Sequence, residues 1–191
     1  MKPFVLLLAV LLMLSSCHKE DQPLTFTYTP LNDAVLTYQQ PVPMDLDKDG
    51  ETDFTANTRL IGSRETGDHH QFIVTSHKAN RLLMHEETLP RMLSQDAAIT
   101  TSDEEPYMWT PIGVAVLVEQ VQPIDLSQSY WQGTWKDQQH QYLPVQLVKA
   151  GGIIYNGWIR ISFMGTNPSR IILHDAAVSQ KAGVSIKMGQ K

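Results

Sequence analysis

The sequence predicts an all-β fold: a two-sheet antiparallel β-sandwich, jelly-roll-like in the broad sense, with little helix. Three observations predict it. Short segments alternate apolar and polar residues with the period of two that a half-buried strand requires, residues that favour turns separate these segments, and strands do not alternate with helical periods. A sandwich hides the most strand edges in a chain of 191 residues. We therefore expect a single β-sandwich domain over residues 24–191.

The first half of this domain is expected to consist of short strands and loops. Strands at 24–28 and 34–38 would form a hairpin around Pro30, Asn32 and Asp33, because these residues favour turns. Three further strands are expected at 54–60, 71–76 and 81–85, with a polar loop at 62–70 and a turn at 78–80.

The second half contains one region of weak signal and one of clear signal. Residues 91–98 are expected to form a short helix and 100–106 a loop, whereas the apolar run 112–118 fits either a buried strand or a short helix. Towards the C-terminus, three strands are expected to form an antiparallel meander with two tight turns. The strands are expected at 141–149, 153–164 and 170–178, and the turns at 150–152 and 165–169.

The composition is that of a globular protein with a mildly acidic surface. Hydrophobic residues make up 42% of the chain and charged residues 18%, a balance that argues against disorder. The formal net charge is -5, and the cations are scattered rather than gathered into a run or a helix face that follows phosphates. We therefore expect no nucleic-acid partner.

Residues 1–16 follow the plan of an export signal. Lys2 supplies the positive start, and residues 4–14 form an unbroken apolar run. A membrane-spanning helix needs about 20 apolar residues, so this run is too short to cross a bilayer. Residues 1–16 are therefore predicted to be a lipoprotein signal peptide.

The residues that follow predict a lipid anchor. Leu14-Ser15-Ser16-Cys17 resembles the lipobox of bacterial lipoproteins, in which small residues precede a cysteine that becomes the lipidated first residue of the mature protein. Cys17 is the single cysteine of the chain and cannot form an internal disulfide. Several acyl chains on Cys17 would anchor the protein stably in a membrane. The alternative is an ordinary secretory leader with an incidental cysteine.

Residues 17–23 are predicted to be the lipidated cysteine and a tether. Within them, the charged segment His18-Lys19-Glu20-Asp21 resembles the surface-export signal of Bacteroidota-type lipoproteins. The resemblance implies a protein that is anchored in the outer membrane and displayed on the cell surface. A periplasm-facing position and a plain solvated tether are the alternatives.

One acidic loop has the spacing of a calcium site. Calcium takes six to eight oxygen ligands, and side chains at alternate positions of a tight loop can converge on it. If Asp45 is the first position, Gly50 falls on the sixth, where such loops turn sharply. The predicted ligands of one structural calcium ion are Asp45, Asp47, Asp49, Glu51 through its backbone carbonyl, and Asp53 directly or through water.

The loop departs from a helix-loop-helix calcium site in two respects. Ala56 stands at the twelfth position, where such sites place a bidentate glutamate, and the flanking residues are strand-like and include prolines. We therefore expect an EF-like loop between strands, whose modest affinity suits the calcium levels outside cells. The alternative is a solvated acidic turn that binds no ion.

Two motifs carry a family resemblance. The first is Asp-x-Asp-x-Asp-Gly-x-x-Asp-Phe, starting at Asp45, and the second is the late strand Tyr155-Asn156-Gly157-Trp158-Ile159-Arg160-Ile161-Ser162. Together they resemble a family of secreted bacterial β-domain lipoproteins of the Bacteroidota type, from which the chain departs by the extra Asn156. The resemblance implies an all-β secreted domain with a calcium-type loop, and it implies no activity.

Two groups of aromatic residues are candidates for ligand binding. Trp158 and Arg160 lie two apart on a predicted strand and share a face, where the guanidinium could stack on the indole. Trp131 and Trp135 flank Gly133 in a polar segment, where exposed rings could stack on sugars. Structural packing is the alternative for each group.

The histidines lack the spacing of a zinc or hydrolase motif. His85 is followed by two glutamates without the second histidine of a helical zinc site, and no Gly-x-Ser-x-Gly elbow occurs. His174 and Asp175 are expected to form a polar pair at a strand edge. No catalytic residue is predicted.

The sequence therefore predicts a lipid-anchored cell-envelope protein with one structural calcium ion and a non-catalytic binding role, with a glycan or an envelope protein as partner. The first alternative is a carbohydrate-binding or glycoside-processing surface protein, because paired acids on a sandwich face can serve as general acid and base. The second is a structural subunit of a larger surface assembly.

Overall fold

The computed structural model describes residues 23–125, 127–165 and 170–191. The predicted signal peptide, Cys17 and the tether up to residue 22 lie outside the described residues, as do residues 166–169 of the predicted turn at 165–169. Within the described part of the chain, no helix has the length and apolar character needed to cross a membrane.

The described residues are mostly β-strand. In chain order the strands are β1 (Phe26–Leu36), β2 (Val42–Met44), β3 (Phe54–Ser63), β4 (Gly67–Ser76), β5 (Arg81–His85), β6 (Leu89–Pro90), β7 (Ala98–Ile99), β8 (Met108–Pro111), β9 (Val114–Gln122), β10 (Tyr130–Gln132), β11 (Gln141–Lys149), β12 (Ile153–Met164), β13 (Arg170–Ser179) and β14 (Ile186–Lys187). The one helical turn among them is a 3-10 turn at Ala150–Gly152.

Two antiparallel sheets pack against each other. The larger sheet has the order β1-β13-β12-β11-β5-β6, and β8 also pairs with β5; the smaller sheet has the order β10-β9-β4-β3-β2. Strands β7 and β14 form a separate antiparallel pair. This architecture confirms the predicted all-β sandwich.

The main core lies between the two sheets. Phe54 and Leu117 of the smaller sheet meet Leu143 and Ile159 of the larger one in a single buried cluster. Successive side chains of a strand point to opposite faces, so Trp158 lies on the outer face of the larger sheet. There it joins a second buried cluster, which includes residues of the β7–β14 pair.

The predicted N-terminal hairpin is wrong, because β1 is one continuous strand. Both halves of β1 pair with β13, and the register shifts between Pro30 and Ala34. Asn32 and Asp33 adopt positive φ angles of 54° and 53°, which these residue types tolerate better than most. They therefore form a bulge within the strand instead of reversing the chain.

The predicted loop at 62–70 is also wrong, since β3 and β4 continue into it and leave only residues 64–66 as a turn. The polar residues of this segment lie in paired strands that face solvent on one side. Gly67 allows the tight return with a φ of 105°, and a Cβ at this position would overlap the carbonyl oxygen of Gln122.

The predicted helix at 91–98 does not form. Its backbone groups bond to other segments instead, because the N–H of Leu93 donates to the carbonyl of Tyr142 and the N–H of Tyr142 donates back. The ambiguous run at 112–118 enters strand β9. The C-terminal meander is confirmed, since β11, β12 and β13 pair consecutively in antiparallel order.

Candidate metal centre

The acidic loop, residues 45–52, is the hairpin connection between β2 and β3. Met44 and Phe54 pair across the two strands, and the N–H of Asp53 donates to the carbonyl of Met44 at 2.9 Å. The side chains of Met44 and Phe54 are both buried in the main core. Both ends of the loop are therefore fixed by the sheet and by the core.

Three of the five predicted ligands come together in this loop. Asp45, Asp47 and Asp49 each offer a carboxylate oxygen, and these oxygens lie within 4.8 Å of one another. The side chains are half-buried to exposed. Clustered carboxylate oxygens are hard donors of the kind that calcium and magnesium prefer. The structure thus contains an aspartate triad that could hold a metal ion.

Backbone N–H groups curl the loop around these carboxylates. Asp45 accepts from the N–H of Lys48 through Oδ1 at 2.7 Å and from the N–H of Gly50 through Oδ2 at 2.8 Å. Asp49 Oδ1 accepts from the N–H of Glu51 at 2.9 Å. Lys48 and Gly50 adopt positive φ angles of 65° and 89°, which turn the chain so that the alternate side chains converge.

Lys149, at the end of β11, places its ammonium group against the triad. It forms an ion pair with Asp47, and its Nζ lies 2.8 Å from Asp49 Oδ2. Burial lowers the pKa of Lys149, but hydrogen bonds to Asp47 and Asp49 outweigh this effect and raise it above its ordinary value. The ammonium group of Lys149 therefore neutralises part of the negative charge of the triad.

The other two predicted ligands have different surroundings. Asp53 is 4% exposed; its Oδ2 accepts from the N–H of Leu46 at 2.9 Å, and its Oδ1 accepts from the side-chain amide of Asn80 at 3.0 Å. Burial raises the pKa of Asp53 above its ordinary value, although the N–H of Leu46 opposes the effect. The Glu51 side chain forms an ion pair with Lys78. Asp53 therefore closes the base of the loop and lies outside the triad.

The four candidate residues for ligand stacking have packing or ion-pair contacts. Trp135 and Trp158 are fully buried, so neither ring offers a face to an external ligand. Trp131 packs against the rings of Phe72 and Phe163, with centroid distances of 5.3 and 5.2 Å. These contacts favour structural packing, the alternative reading, for all three tryptophans. The sequence did not reveal it for Trp131 and Trp135, because the residues around them are polar.

Arg160 binds a carboxylate and does not stack on Trp158. Its guanidinium donates two hydrogen bonds to Asp175, each at 2.8 Å. Asp175 also accepts from the hydroxyl of Tyr28 at 2.9 Å and from Lys191 Nζ at 3.1 Å. Burial raises the pKa of Asp175, but these donors outweigh the effect and hold the pKa below its ordinary value. Asp175 is therefore the buried centre of an ion network whose cationic partners are partly exposed.

Sequence reasoning missed a hydrogen-bonded relay on the larger sheet. Ser162 Oγ lies 2.7 Å from His174 Nε2, and His174 Nδ1 lies 2.5 Å from Asp33 Oδ1. The order of groups is that of a hydrolytic triad. However, Ser162 is only 2% exposed, and its Oγ already accepts from the N–H of His140 at 2.8 Å. A nucleophile must reach its substrate, and the buried Ser162 cannot. The relay therefore serves to hold neighbouring strands together.

The fold and the site together define an all-β sandwich with an aspartate-rich hairpin loop able to hold a metal ion. Neither a protein-family model, nor a curated protein, nor a solved structure matches the chain. The spacing of the three aspartates is a local sequence pattern that predicts the triad. Lys149, in contrast, lies 100 positions from Asp49 in sequence, and no local pattern identifies it.

Proposed function

We propose that the protein is a lipid-anchored module of the cell envelope that holds one structural calcium ion in its acidic loop and acts by binding rather than by catalysis. The observation that carries the proposal is the convergence of Asp45, Asp47 and Asp49 within 4.8 Å. Lys149 forms ion pairs with two of these carboxylates, so the ion would have to share or displace its ammonium group.

We propose calcium as the ion because its coordination geometry is the more adaptable. Calcium accepts six to eight oxygens in an adaptable geometry, whereas magnesium demands a near-ideal octahedron and gives up water reluctantly. The triad supplies three carboxylates from a short loop, and Asp53 is engaged elsewhere. The backbone carbonyl of Glu51 and water molecules would therefore complete the shell, which is consistent with a modest affinity suited to calcium levels outside cells.

The proposed ion acts as a structural element. It would fix the hairpin between β2 and β3, and β2 is one of the two edge strands of the smaller sheet. Met44 and Phe54, at the two ends of the loop, are buried in the core. An ion that orders the loop between them would therefore limit local unfolding of β2 at the sheet edge.

A calcium titration of the domain over residues 23–191 tests this assignment. Calcium at ten times its Kd should stabilise the domain by about 1.4 kcal/mol, or roughly 3–6 °C in Tm. The variant Asp47→Asn/Asp49→Asn should lose this shift, and the control Glu65→Gln/Glu87→Gln, which removes two acidic charges elsewhere, should keep it. An equal shift in all three proteins would contradict the site.

The envelope location rests on the leader and on Cys17. The tether is short, because Cys17 precedes the first residue of β1 by nine positions, so the domain would lie close to the membrane. Labelling of cells with a fatty-acid analogue should mark the wild type and not Cys17→Ser. Protease treatment of intact cells should degrade the wild-type domain if it is displayed on the surface, whereas protection would place it on the periplasmic side.

A further inference from the structure

The smaller sheet carries a straight row of polar side chains on its outer face. Four neighbouring strands contribute one residue each, and the register places these residues directly opposite one another: Arg59 on β3, Gln71 on β4, Glu119 on β9 and Gln132 on β10. Successive side chains of a strand point to opposite faces, so the row faces away from Phe72 and the main core. Three strand spacings of about 4.8 Å make the row roughly 14 Å long.

Hydrogen bonds hold the carboxylate of Glu119 in a fixed orientation within this row. Its Oε2 accepts from the side-chain amide of Gln71 at 2.8 Å, and its Oε1 accepts from the side-chain amide of Gln132. His69 Nδ1 lies 3.3 Å from Oε2. Arg59 continues the row, because its Nε donates to Gln71 Oε1 at 2.7 Å. The polar groups are thus ordered before any ligand arrives, which lowers the entropic cost of binding.

Glu119 is an ionised acceptor near neutral pH. Burial raises the pKa of its carboxyl group, but the hydrogen bonds from Gln71, Gln132 and His69 outweigh this effect and hold the pKa below its ordinary value. A carboxylate has about four acceptor positions, and these three donors from the described residues leave one of them for a ligand hydroxyl. Each side-chain amide also has a second N–H with which it can donate. The row therefore offers a ligand both an acceptor and donors.

A concavity of about 300 Å³ lies against this row. Three members of the row line it, together with Thr88, Leu89 and Val116. Leu89 and Val116 are half-buried, so each presents part of its apolar side chain to the concavity. The N–H of Val116 donates to the carbonyl of Thr88 at 2.9 Å, which fixes this wall against β9. The volume is near the lower end of the roughly 300–1,000 Å³ of small-molecule sites.

The chemistry of this surface matches a neutral saccharide. Arg59 and Glu119 carry opposite charges, so the carboxylate repels an anionic ligand and the guanidinium repels a cationic one. Sugar hydroxyls both donate and accept hydrogen bonds, as the carboxylate and the amides require, and the C–H faces of a sugar ring suit the apolar wall. Tyr130 lies on the same face of β10 as Gln132 and is 48% exposed. Its ring can therefore stack on a further sugar unit.

We propose that the row and its concavity form a binding site for a neutral oligosaccharide. Glu119 accepts hydrogen bonds from the hydroxyls of one sugar unit in the concavity, and the amides of Gln71 and Gln132 donate to the same unit. Tyr130 stacks on the neighbouring unit. The inference rests on the binding role in the proposed function and names its ligand class. It does not depend on the calcium ion, because the members of the row lie on strands outside the acidic loop.

Amide NMR of the domain over residues 23–191 tests this proposal with cellohexaose, maltohexaose, xylohexaose and mannohexaose as probes. At about 10 mM, at least one of them should shift the signals of Gln71, Glu119 and Gln132, with a Kd on the order of 1 mM. Gln132→Ala and Glu119→Gln should each weaken this Kd about tenfold, because each removes a hydrogen bond to the ligand. The control Gln139→Ala, at an exposed glutamine elsewhere, should keep the wild-type Kd. Calcium and chelator should give the same value.

The outcomes separate this inference from the proposed calcium site. If none of the four probes shifts an amide signal, the inference is overturned, and a calcium-induced rise in Tm would still support the calcium site. Shifts centred on another surface, or an equal Kd in the wild type and both variants, overturn the assignment of the site to this row. Saccharide binding without any response to calcium supports the inference and contradicts the calcium site. A Kd that differs between calcium and chelator overturns the independence of the two sites.

Discussion

Lys149 donates a hydrogen bond to Asp49 across 100 residues of sequence, with Nζ 2.8 Å from Oδ2. The contact joins the end of β11 in the larger sheet to the hairpin loop of the smaller one. It places a positive charge against two of the three carboxylates of the triad. The calcium ion that we propose for this loop would have to compete with Lys149 for the same oxygens.

Lys149→Met should strengthen calcium binding. The substitution keeps much of the aliphatic stem but removes the competing charge, and a partly exposed ion pair contributes roughly 0.7–1 kcal/mol, or about three- to fivefold in Kd. Isothermal titration calorimetry measures the change, and Lys136→Met serves as the control. An unchanged or weaker Kd in Lys149→Met would show that the ammonium does not compete with the ion.

Asp175→Asn should destabilise the protein by about 2–4 kcal/mol near neutral pH. The variant leaves Arg160 and Lys191 without their buried carboxylate, and removing one partner of a buried ion pair is costly even when the other is partly exposed. Urea unfolding measures the loss. Asp125→Asn, at a fully exposed site, should have little effect.

The cost of Asp175→Asn should also depend on pH. The folded-state pKa of Asp175 lies below its ordinary value, so its stabilising contribution is complete above the unfolded pKa of about 4 and is lost as the pH falls through the lower folded-state value. The stability difference between wild type and variant should therefore shrink in strong acid. A difference that stayed constant down to about pH 2 would exclude this ion network as its cause.

Ser162→Ala should reduce stability by about 1–2 kcal/mol, because it removes the acceptor of the His140 N–H and the hydrogen-bond partner of His174 Nε2. Chemical denaturation measures this loss, and Ser127→Ala is the exposed control. The wild type should resist labelling by a fluorophosphonate, since Ser162 is buried. Labelling that disappears in Ser162→Ala would instead identify the relay as a reactive centre.

The parts of the fold that follow from local sequence were predictable. The meander of β11, β12 and β13 was evident because apolar alternation is interrupted by Gly151 and Gly152, which both adopt positive φ angles at the turn. The bulge in β1 was not evident, since Asn32 and Asp33 favour a reversal and only the pairing of both halves with β13 keeps the chain extended.

The candidate metal site also has a part that local sequence predicts and a part that it does not. The spacing of Asp45, Asp47 and Asp49 was enough to predict that they converge. The role of Asp53 was not predictable, because it depends on Asn80, which arrives from the turn between β4 and β5. Lys149 likewise reaches the loop only through the packing of the two sheets, a long-range relationship that no local pattern encodes.

Asn80 is the residue that connects these long-range contacts. Its side-chain amide donates to Asp53 Oδ1 at 3.0 Å, and its Oδ1 accepts from the N–H of Val148 at 2.9 Å. Val148 directly precedes Lys149, so one buried side chain links the base of the acidic loop to the strand that carries Lys149. Asn80→Ala should therefore cost about 2–4 kcal/mol, since the buried carboxylate of Asp53 and the half-buried N–H of Val148 each lose a partner.

The cost of Asn80→Ala should increase with pH. Burial already raises the folded-state pKa of Asp53, and loss of the Asn80 amide raises it further, because the ionised form loses a donor. A carboxyl group whose pKa is raised in the folded state stabilises the protein below its unfolded-state pKa. This stabilisation is lost as the pH rises through the folded-state pKa. Urea unfolding near pH 4 and pH 7 should show the larger deficit at pH 7. The exposed control Gln139→Ala should show none, and a deficit independent of pH would assign the whole effect of Asn80 to Val148.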